Sequence, residues 1–178
     1  MKLLIISDIH GSSYYAQKIE EINKREKPDQ IILLGDLYYH GPRNGLTEQY
    51  DPMKVAGILN DLKDKIRAVR GNCDAEVDEM ISDFKIEQNI EEQINNKHVF
   101  FSHGHIYNMN NIPNKEVQIM FYGHFHTGFI EEKSGIIFAN PGSISLPQNN
   151  TEHSYIIFDS NTIILKDIDG NIIQEKNI

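Results

Sequence analysis

Cysteine is almost missing from the chain: Cys73 is the one cysteine among 178 residues. That excludes an internal disulfide and a thiolate metal cage within one chain, and it fits a reducing compartment. Positive charge is also scarce, with a formal net charge of -9 and no cluster of Lys and Arg. Phosphate backbones are held by such clusters, so stable nucleic-acid binding is not expected. An anionic substrate needs positive charge from another source, and a bound metal is the obvious supplier. No apolar run approaches the roughly 18 residues of a membrane span. The opening run, Leu3 to Ile6, is far shorter than the core of a signal peptide. The expectation is a cytoplasmic protein with no membrane partner. No internal repeat, low-complexity tract or Gly/Ser/Pro-rich linker interrupts the chain.

What is present is an ordinary globular composition, 39% hydrophobic and 24% charged, so folding is the default. The length of 178 residues suits one well-buried core and is short for two. One domain over residues 1–178 is therefore expected.

Leu3 to Ile6 is a short, continuous apolar run, the pattern of a strand buried on both faces. Gly11-Ser12-Ser13 offers a turn and an N-cap. Tyr15, Ile19 and Ile22 then recur at helical spacing before Pro28. Ile31 to Leu34 repeats the buried-strand pattern, which completes a βαβ unit. Residues 37–52 carry two glycines and two prolines and read as a long loop. Asp51-Pro52 suits the cap and first turn of a second helix with Val55, Ile58, Leu59 and Leu62 as its apolar stripe. A third strand, Ile66 to Val69, follows. From about Phe84 onward, helix signals nearly vanish. Phe84 to Ile94 and seven later segments read as strands, separated by turn signals such as Asn95-Asn96, Ser134-Gly135 and Asp169-Gly170. The expected class is α/β: two β-sheets packed face to face with helices outside.

The polar residues delivered by these runs carry the chemistry. They are Asp8 and His10 in "SDIHG", Asp36 in "LLGDL", Asn72 in "RGNCD", His103 in "FSHGH", and His124 and His126 in "YGHFH". Open α/β sheets bind ligands at the C-terminal ends of their strands. Carboxylate, amide and imidazole without thiolate suit Mn, Fe, Zn, Co or Ni rather than Ca or an iron–sulfur cluster. If D-x-H and H-x-H are extended, their alternating side chains project the same way and converge on one ion. Each piece alone has a plainer reading: D-x-H as a turn with a helix cap, "GD" and "GN" as turn dipeptides. The ordered series at successive strand ends is what favours a metal site.

"DIHG", "GDLYYHGPRNG", "GNCD", "SHGH" and "GHFH" together resemble the signature blocks of the calcineurin-like metallophosphoesterases, and among them the YfcE-type phosphodiesterases. The resemblance runs from the first strand to about Pro147. It implies a four-layer αββα sandwich, two mixed sheets flanked by helices. It also implies two divalent ions, Mn²⁺ first and Fe, Zn, Ni or Co as alternatives. Asp8, His10 and His126 would hold one ion, Asn72, His103 and His124 the other, and Asp36 would bridge them. A phosphodiesterase acting on a small phosphodiester through a metal-bridging hydroxide is then expected. Two ions, two carboxylates and one hydroxide leave a local charge of about +1, a cationic pocket in an acidic protein.

Further roles stay open at this stage. The amide of Asn72 would donate toward charge developing on phosphorus. Cys73 stands where most of the superfamily has a histidine, and it reads as a weak acid, a steric wall or a bystander. His40 and Arg43 are candidate substrate contacts, against a structured loop in which Arg43 pairs with an acidic neighbour. His105 reads as a pocket lining or a hydrogen-bond partner of the ligands, and His98 and His153 as surface residues. Tyr38, Tyr39, Tyr107 and Phe125 either stack on an aryl group or cover a core. The alternatives are a phosphomonoesterase acting on a nucleotide or phosphoprotein, which the pocket charge does not exclude, and a Vps29-like protein-binding scaffold without catalysis. Strand-rich edges make a homo-oligomer conceivable.

Overall fold

The computed structural model describes residues 1–159 and 161–178. A seven-stranded mixed sheet runs in the order β12-β11-β10-β1-β2-β3-β4. Its parallel strands are β1 (Leu3–Ile6), β2 (Gln30–Leu33), β3 (Ile66–Val69) and β4 (Ile86–Glu87), and β10 (Ser154–Phe158), β11 (Thr162–Asp167) and β12 (Ile172–Asn177) extend it antiparallel. A five-stranded sheet follows the order β5-β6-β7-β9-β8. There β6 (Lys97–Ser102), β7 (Ile119–Tyr122) and β9 (Ile136–Pro141) are parallel, with β5 (Ile90–Ile94) and β8 (Gly128–Lys133) antiparallel at the edges.

Alternation along β1 sets the layers. Leu3 and Ile5 face the second sheet, where they pack with Ile32, Phe101, Phe121 and Ile156 in the core between sheets. Leu4 and Ile6 face the other way, onto helix α1 (Ser13–Glu26) and helix α2 (Pro52–Asn60). Both helix starts follow from local chemistry. Ser12 Oγ accepts from Tyr15 N at 3.3 Å, and Asp51 Oδ1 accepts from Lys54 N at 3.0 Å just ahead of Pro52. No helix among the described residues is long and apolar enough to cross a membrane.

The arrangement of two mixed sheets is as expected, with three differences of detail. The far side of the five-stranded sheet, Phe100, Met120, Tyr122 and Phe138, is covered by Tyr107, Met109 and Val117 from the connection between β6 and β7, not by helices. The fourth layer is thus a packed loop. Phe84 to Ile94 is not one strand: Ile86–Glu87 closes the first sheet, and Ile90–Ile94 opens the second. The last three strands return to the first sheet, so the strand-rich half of the chain serves both layers. The turn signals hold where geometry requires them. Asn95-Asn96 and Ser134-Gly135 have φ of 49°, 60°, 53° and 78°, the left-handed pair of a two-residue hairpin.

Candidate metal centre

Strand ends from both sheets converge on one edge. The pairing of β1 with β2 continues past the strands, with Asp8 N donating to Gly35 O (3.1 Å) and His10 N to Asp36 O (2.9 Å). Gly123 N donates to His103 O at 2.7 Å in the second sheet. His124 N donates to Asp8 Oδ2 at 3.0 Å and so ties one sheet to the other.

Local backbone conformation differs from the extended triplets expected. Asp8, His10, Asp36, His124 and His126 all lie in the left-handed region, with φ between 49° and 66°. Non-glycine residues there carry strain and cluster at functional sites. The side chains of Asp8 and His10 converge because the chain turns at each of them. The contacts around them are close enough to forbid a Cβ at two glycines. At Gly71 it would overlap Asp36 Oδ1, and at Gly123 it would overlap Ser7 Oγ and sit 2.8 Å from Asp8 Oδ2.

Hydrogen bonds determine which atoms face the site. His10 Nδ1, His103 Nδ1 and His126 Nδ1 lie 2.8, 2.7 and 2.7 Å from the carbonyls of Tyr39, Leu34 and Leu146. A carbonyl only accepts, so each Nδ1 carries hydrogen and Nε2 is the nitrogen turned inward, where it offers a lone pair once it has no proton. These nitrogens lie close to further polar atoms: His10 Nε2 is 3.2 Å from His126 Nε2, and His103 Nε2 is 3.0 Å from Asn72 Oδ1 and 3.2 Å from His124 Nδ1. Each carboxylate gives one oxygen to the backbone and keeps the other for the site. Asp36 Oδ1 accepts from Cys73 N at 2.8 Å, while Oδ2 lies between His10 Nε2 (3.6 Å) and His103 Nε2 (3.4 Å). Asp8 Oδ1 is buried without a hydrogen-bond donor, 3.2 Å from His126 Nε2 and 3.6 Å from His10 Nε2.

A buried acceptor with no donor is costly. Here several acceptors point at each other across two neighbouring foci, which is the donor set that divalent cations fit. Asp8, His10 and His126 form one such group and Asp8, Asp36 and His103 another. A third, His10 with Asp36 and Cys73, lies within the same reach. Thiolate rather than thiol binds metal, however, and burial followed by the Asp36 charge pushes Cys73 up to about 12. The thiol is thereby held neutral where it lines the cavity.

Charge within the cluster is strongly coupled. Burial opposes ionisation of Asp8 and Asp36, but the imidazoles of His10, His126 and His103 outweigh it and hold both carboxylates below their usual range. Burial likewise lowers His103, yet the hydrogen bond to Asp36 and the two carboxylate charges raise it to about 9. Its neighbour His124 is pushed down to about 4 by burial and by the charge on His103.

The expected site residues separate into two groups. Asp8, His10, Asp36, Asn72, His103, His124 and His126 come together, and Cys73 and Arg43 line the same cavity of about 660 Å³. His40 does not line it. Its ring packs edge-on against Tyr39 and Tyr50. No ion pair holds Arg43 among the described residues, so the alternative in which it pairs with an acidic neighbour is not found. Tyr39, Pro42, Asn44, Phe125 and Gln148 complete the walls. His105 sits 5.3 Å, ring to ring, from His103 and outside the cavity. His98 is half-buried near Glu116, whereas His153 stacks on Tyr15 and accepts from its hydroxyl rather than lying free on the surface.

Sequence reading missed the residues that brace the ligands. Asp74 Oδ2 accepts from Asp36 N (2.8 Å) and Gly71 N (2.7 Å), and its Oδ1 accepts from Leu37 N (2.8 Å), clamping the ends of β2 and β3 together. Ser143 Oγ and Ser145 Oγ each donate to Asp8 O at 2.8 Å, and Asn140 Nδ2 donates to Gly123 O. The signal was the polar "NPGSIS" run that ends β9 and continues past it. Backbone acceptors such as Leu34 O leave no signal of residue type.

A sequence model of the calcineurin-like phosphoesterase superfamily domain matches residues 1–162. Phosphodiesterase YfcE of Escherichia coli (strain K12) is 38% identical over 165 residues, covering 92% of this chain and 90% of its own. The probable metallophosphoesterase YsnB of Bacillus subtilis is 26% identical, covering 98% and 96%. The solved structure of E. coli YfcE, described as a phosphoesterase, matches with a TM-score of 0.96 at 36% identity over the whole of both chains. Vps29 of Chaetomium thermophilum matches at 0.65 with 16% identity over 100% of this chain and 97% of its own, a likeness of fold alone.

Proposed function

This chain belongs to the calcineurin-like phosphoesterase superfamily, and on that premise we propose that it is a phosphodiesterase that hydrolyses a small phosphodiester at a dinuclear metal centre. It is a metallophosphoesterase, a hydrolase of phosphoric ester bonds. The observation that carries the finer reading is the convergence of inward-facing imidazole nitrogens and carboxylate oxygens, with Asp8 Oδ1 left buried without a donor. In this reading Asp8, His10 and His126 would hold one ion, Asn72, His103 and His124 would hold the other, and Asp36 would be shared by both. When bound, the divalent pair supplies Lewis acidity, making water acidic enough to attack near neutral pH and neutralising phosphoryl oxygens. Mn²⁺ is the ion proposed, with Fe, Zn, Ni and Co compatible with the same donors.

The protein's own groups do the rest. Asn72 Nδ2 makes only a weak contact with Cys73 Sγ at 3.3 Å, so it is available to donate toward a phosphoryl oxygen. Arg43, on the cavity wall and without an ion-pair partner among the described residues, supplies a cation to the substrate's outer oxygens. The full complement of donor residues supports hydrolysis over a scaffold role. The likeness to a protein named as a phosphodiesterase supports a diester over a monoester. One domain over residues 1–178, a cytoplasmic location and no stable nucleic-acid partner belong to the same proposal. The test strips the protein with chelator and assays bis-p-nitrophenyl phosphate beside p-nitrophenyl phosphate, with Mn²⁺ restored, for wild type and Asp36→Asn. Restored diester cleavage in wild type alone is expected. A folded protein inert toward both esters with every divalent ion tried would overturn the proposal.

A further inference from the structure

The cavity is much larger than a phosphoryl group requires, and its outer walls are not uniformly polar. Of eight tyrosines and eight phenylalanines, all described by the structure, only Tyr39 (42%) and Phe125 (47%) are exposed, and both line this cavity. Exposed aliphatic residues such as Leu46 and Met80 lie outside it, as isolated surface apolar groups commonly do. Aromatic rings left in water at the mouth of a polar site need a different account.

Both rings are tied to the metal-facing residues. Phe125 stands between His124 and His126, its amide donates to Gly123 O at 2.8 Å, and its ring meets the edges of His124 (5.2 Å) and Tyr122 (6.1 Å). Tyr39 offers its carbonyl to His10 Nδ1 at 2.8 Å, and its ring packs edge-on with His40 at 4.7 Å. Rings held in place in this way lose little freedom when a planar group stacks on them. Behind Phe125, a smaller cleft of about 200 Å³ lined by Met109, Tyr122 and Phe129 continues the apolar surface.

We infer that Tyr39 and Phe125 form a stacking subsite, so that the diesters preferred by this protein carry a planar aromatic substituent, an aryl ring or a nucleobase, beside the scissile bond. The inference rests on the phosphodiesterase reading and adds a substrate class to it. Stacking of one base or aryl ring on an aromatic side chain changes affinity by about tenfold or more.

The test uses the full chain loaded with Mn²⁺ and three diesters sharing the p-nitrophenolate leaving group: methyl, phenyl and thymidine 5′ p-nitrophenyl phosphate. The ratio of kcat/KM for each aromatic ester to that for the methyl ester is compared between wild type and Phe125→Leu and Tyr39→Leu, so that intrinsic reactivity cancels. A fall of about tenfold in the ratio in either variant is expected, and the phenyl and thymidine arms show whether a simple ring or a nucleobase is favoured. Unchanged ratios with hydrolysis of the methyl ester intact would overturn the subsite and leave the phosphodiesterase reading standing. Calorimetry gives a readout independent of turnover: phenylphosphonate should bind about tenfold more tightly than methylphosphonate to wild type and lose that advantage in Phe125→Leu. Equal binding in wild type overturns the inference even if no diester is cleaved.

Discussion

Replacing Asp74 by asparagine tests whether a residue that need not touch metal governs the metal centre. The aspartate accepts three backbone N–H groups, from Asp36, Leu37 and Gly71, at 2.8, 2.8 and 2.7 Å. An amide has one acceptor oxygen. In its better orientation it keeps the bonds to Asp36 N and Gly71 N and turns its NH₂ toward the N–H of Leu37. One charge-assisted bond, roughly 1.5–3 kcal/mol, is lost outright, and the two survivors weaken to neutral bonds at roughly 0.5–1 kcal/mol each. Against this, the variant no longer buries a carboxylate whose burial pushes its pKa upward, which offsets part of the loss. The net is about 2–3 kcal/mol, or a melting temperature lower by roughly 5–10 °C for a chain of this length. Because the same bonds hold Asp36, the residue proposed to bridge both ions, Mn²⁺ affinity should fall about tenfold or more. Thermal denaturation of the chelator-treated protein and calorimetric Mn²⁺ titration of the folded variant read the two effects separately. Asp74→Asn melting within about 2 °C of wild type, with unchanged affinity, would refute the reasoning, since each lost bond alone predicts a larger shift.

Three further outcomes are expected. In the metal-free protein His103 has a pKa raised to about 9 and is protonated at neutral pH, whereas metal needs its lone pair. Mn²⁺ binding should therefore release about one more proton at pH 7 than at pH 10, read by calorimetry in buffers of different ionisation enthalpy; equal release would sink the assignment. Gly123→Ala would drive a Cβ into Ser7 Oγ and against Asp8 Oδ2, so it should lower both melting temperature and metal affinity. Adding Ser7→Gly should recover part of each, and no recovery would place the damage elsewhere. Remote from the site, burial opposes ionisation of Glu26, but Lys166 Nζ (2.9 Å), Tyr155 Oη (2.8 Å) and Lys2 Nζ (3.1 Å) hold its pKa down to about 2. A depressed acid stabilises the fold above its unfolded pKa, so its contribution should be whole above about pH 5 and vanish toward pH 2. Water screens a partly exposed group, which reduces that contribution to about 1–2 kcal/mol. The difference in urea midpoint between wild type and Glu26→Gln should shrink over this range, and a difference independent of pH would exclude the mechanism.

The order of residues along the chain was sufficient to locate the centre. Asp8, His10, Asp36, Asn72, His103, His124 and His126 each follow a short apolar run, and strands buried on both faces must end at a sheet edge, where polar groups are tolerated. Both helix starts and the two-residue turns were legible for the same reason: caps and left-handed turns are chemistry between near neighbours. Strand pairing is not. That Phe84 to Ile94 divides between two sheets, and that a packed loop replaces an outer helical layer, depends on partners far away in the chain. Within the site, residue type indicated which side chains would cluster. The tertiary structure decided which nitrogen of each histidine faces inward, through carbonyls up to 69 residues distant. It also turned His40 away from the cavity while bringing Arg43 and Phe125 to it. Asp74 carries no signal of its role in the sequence, because the three amide hydrogens on its carboxylate come from two strand ends that meet only in the fold. A sequence records which groups can bind an ion, but the hydrogen-bond partners that aim them are set when distant segments meet.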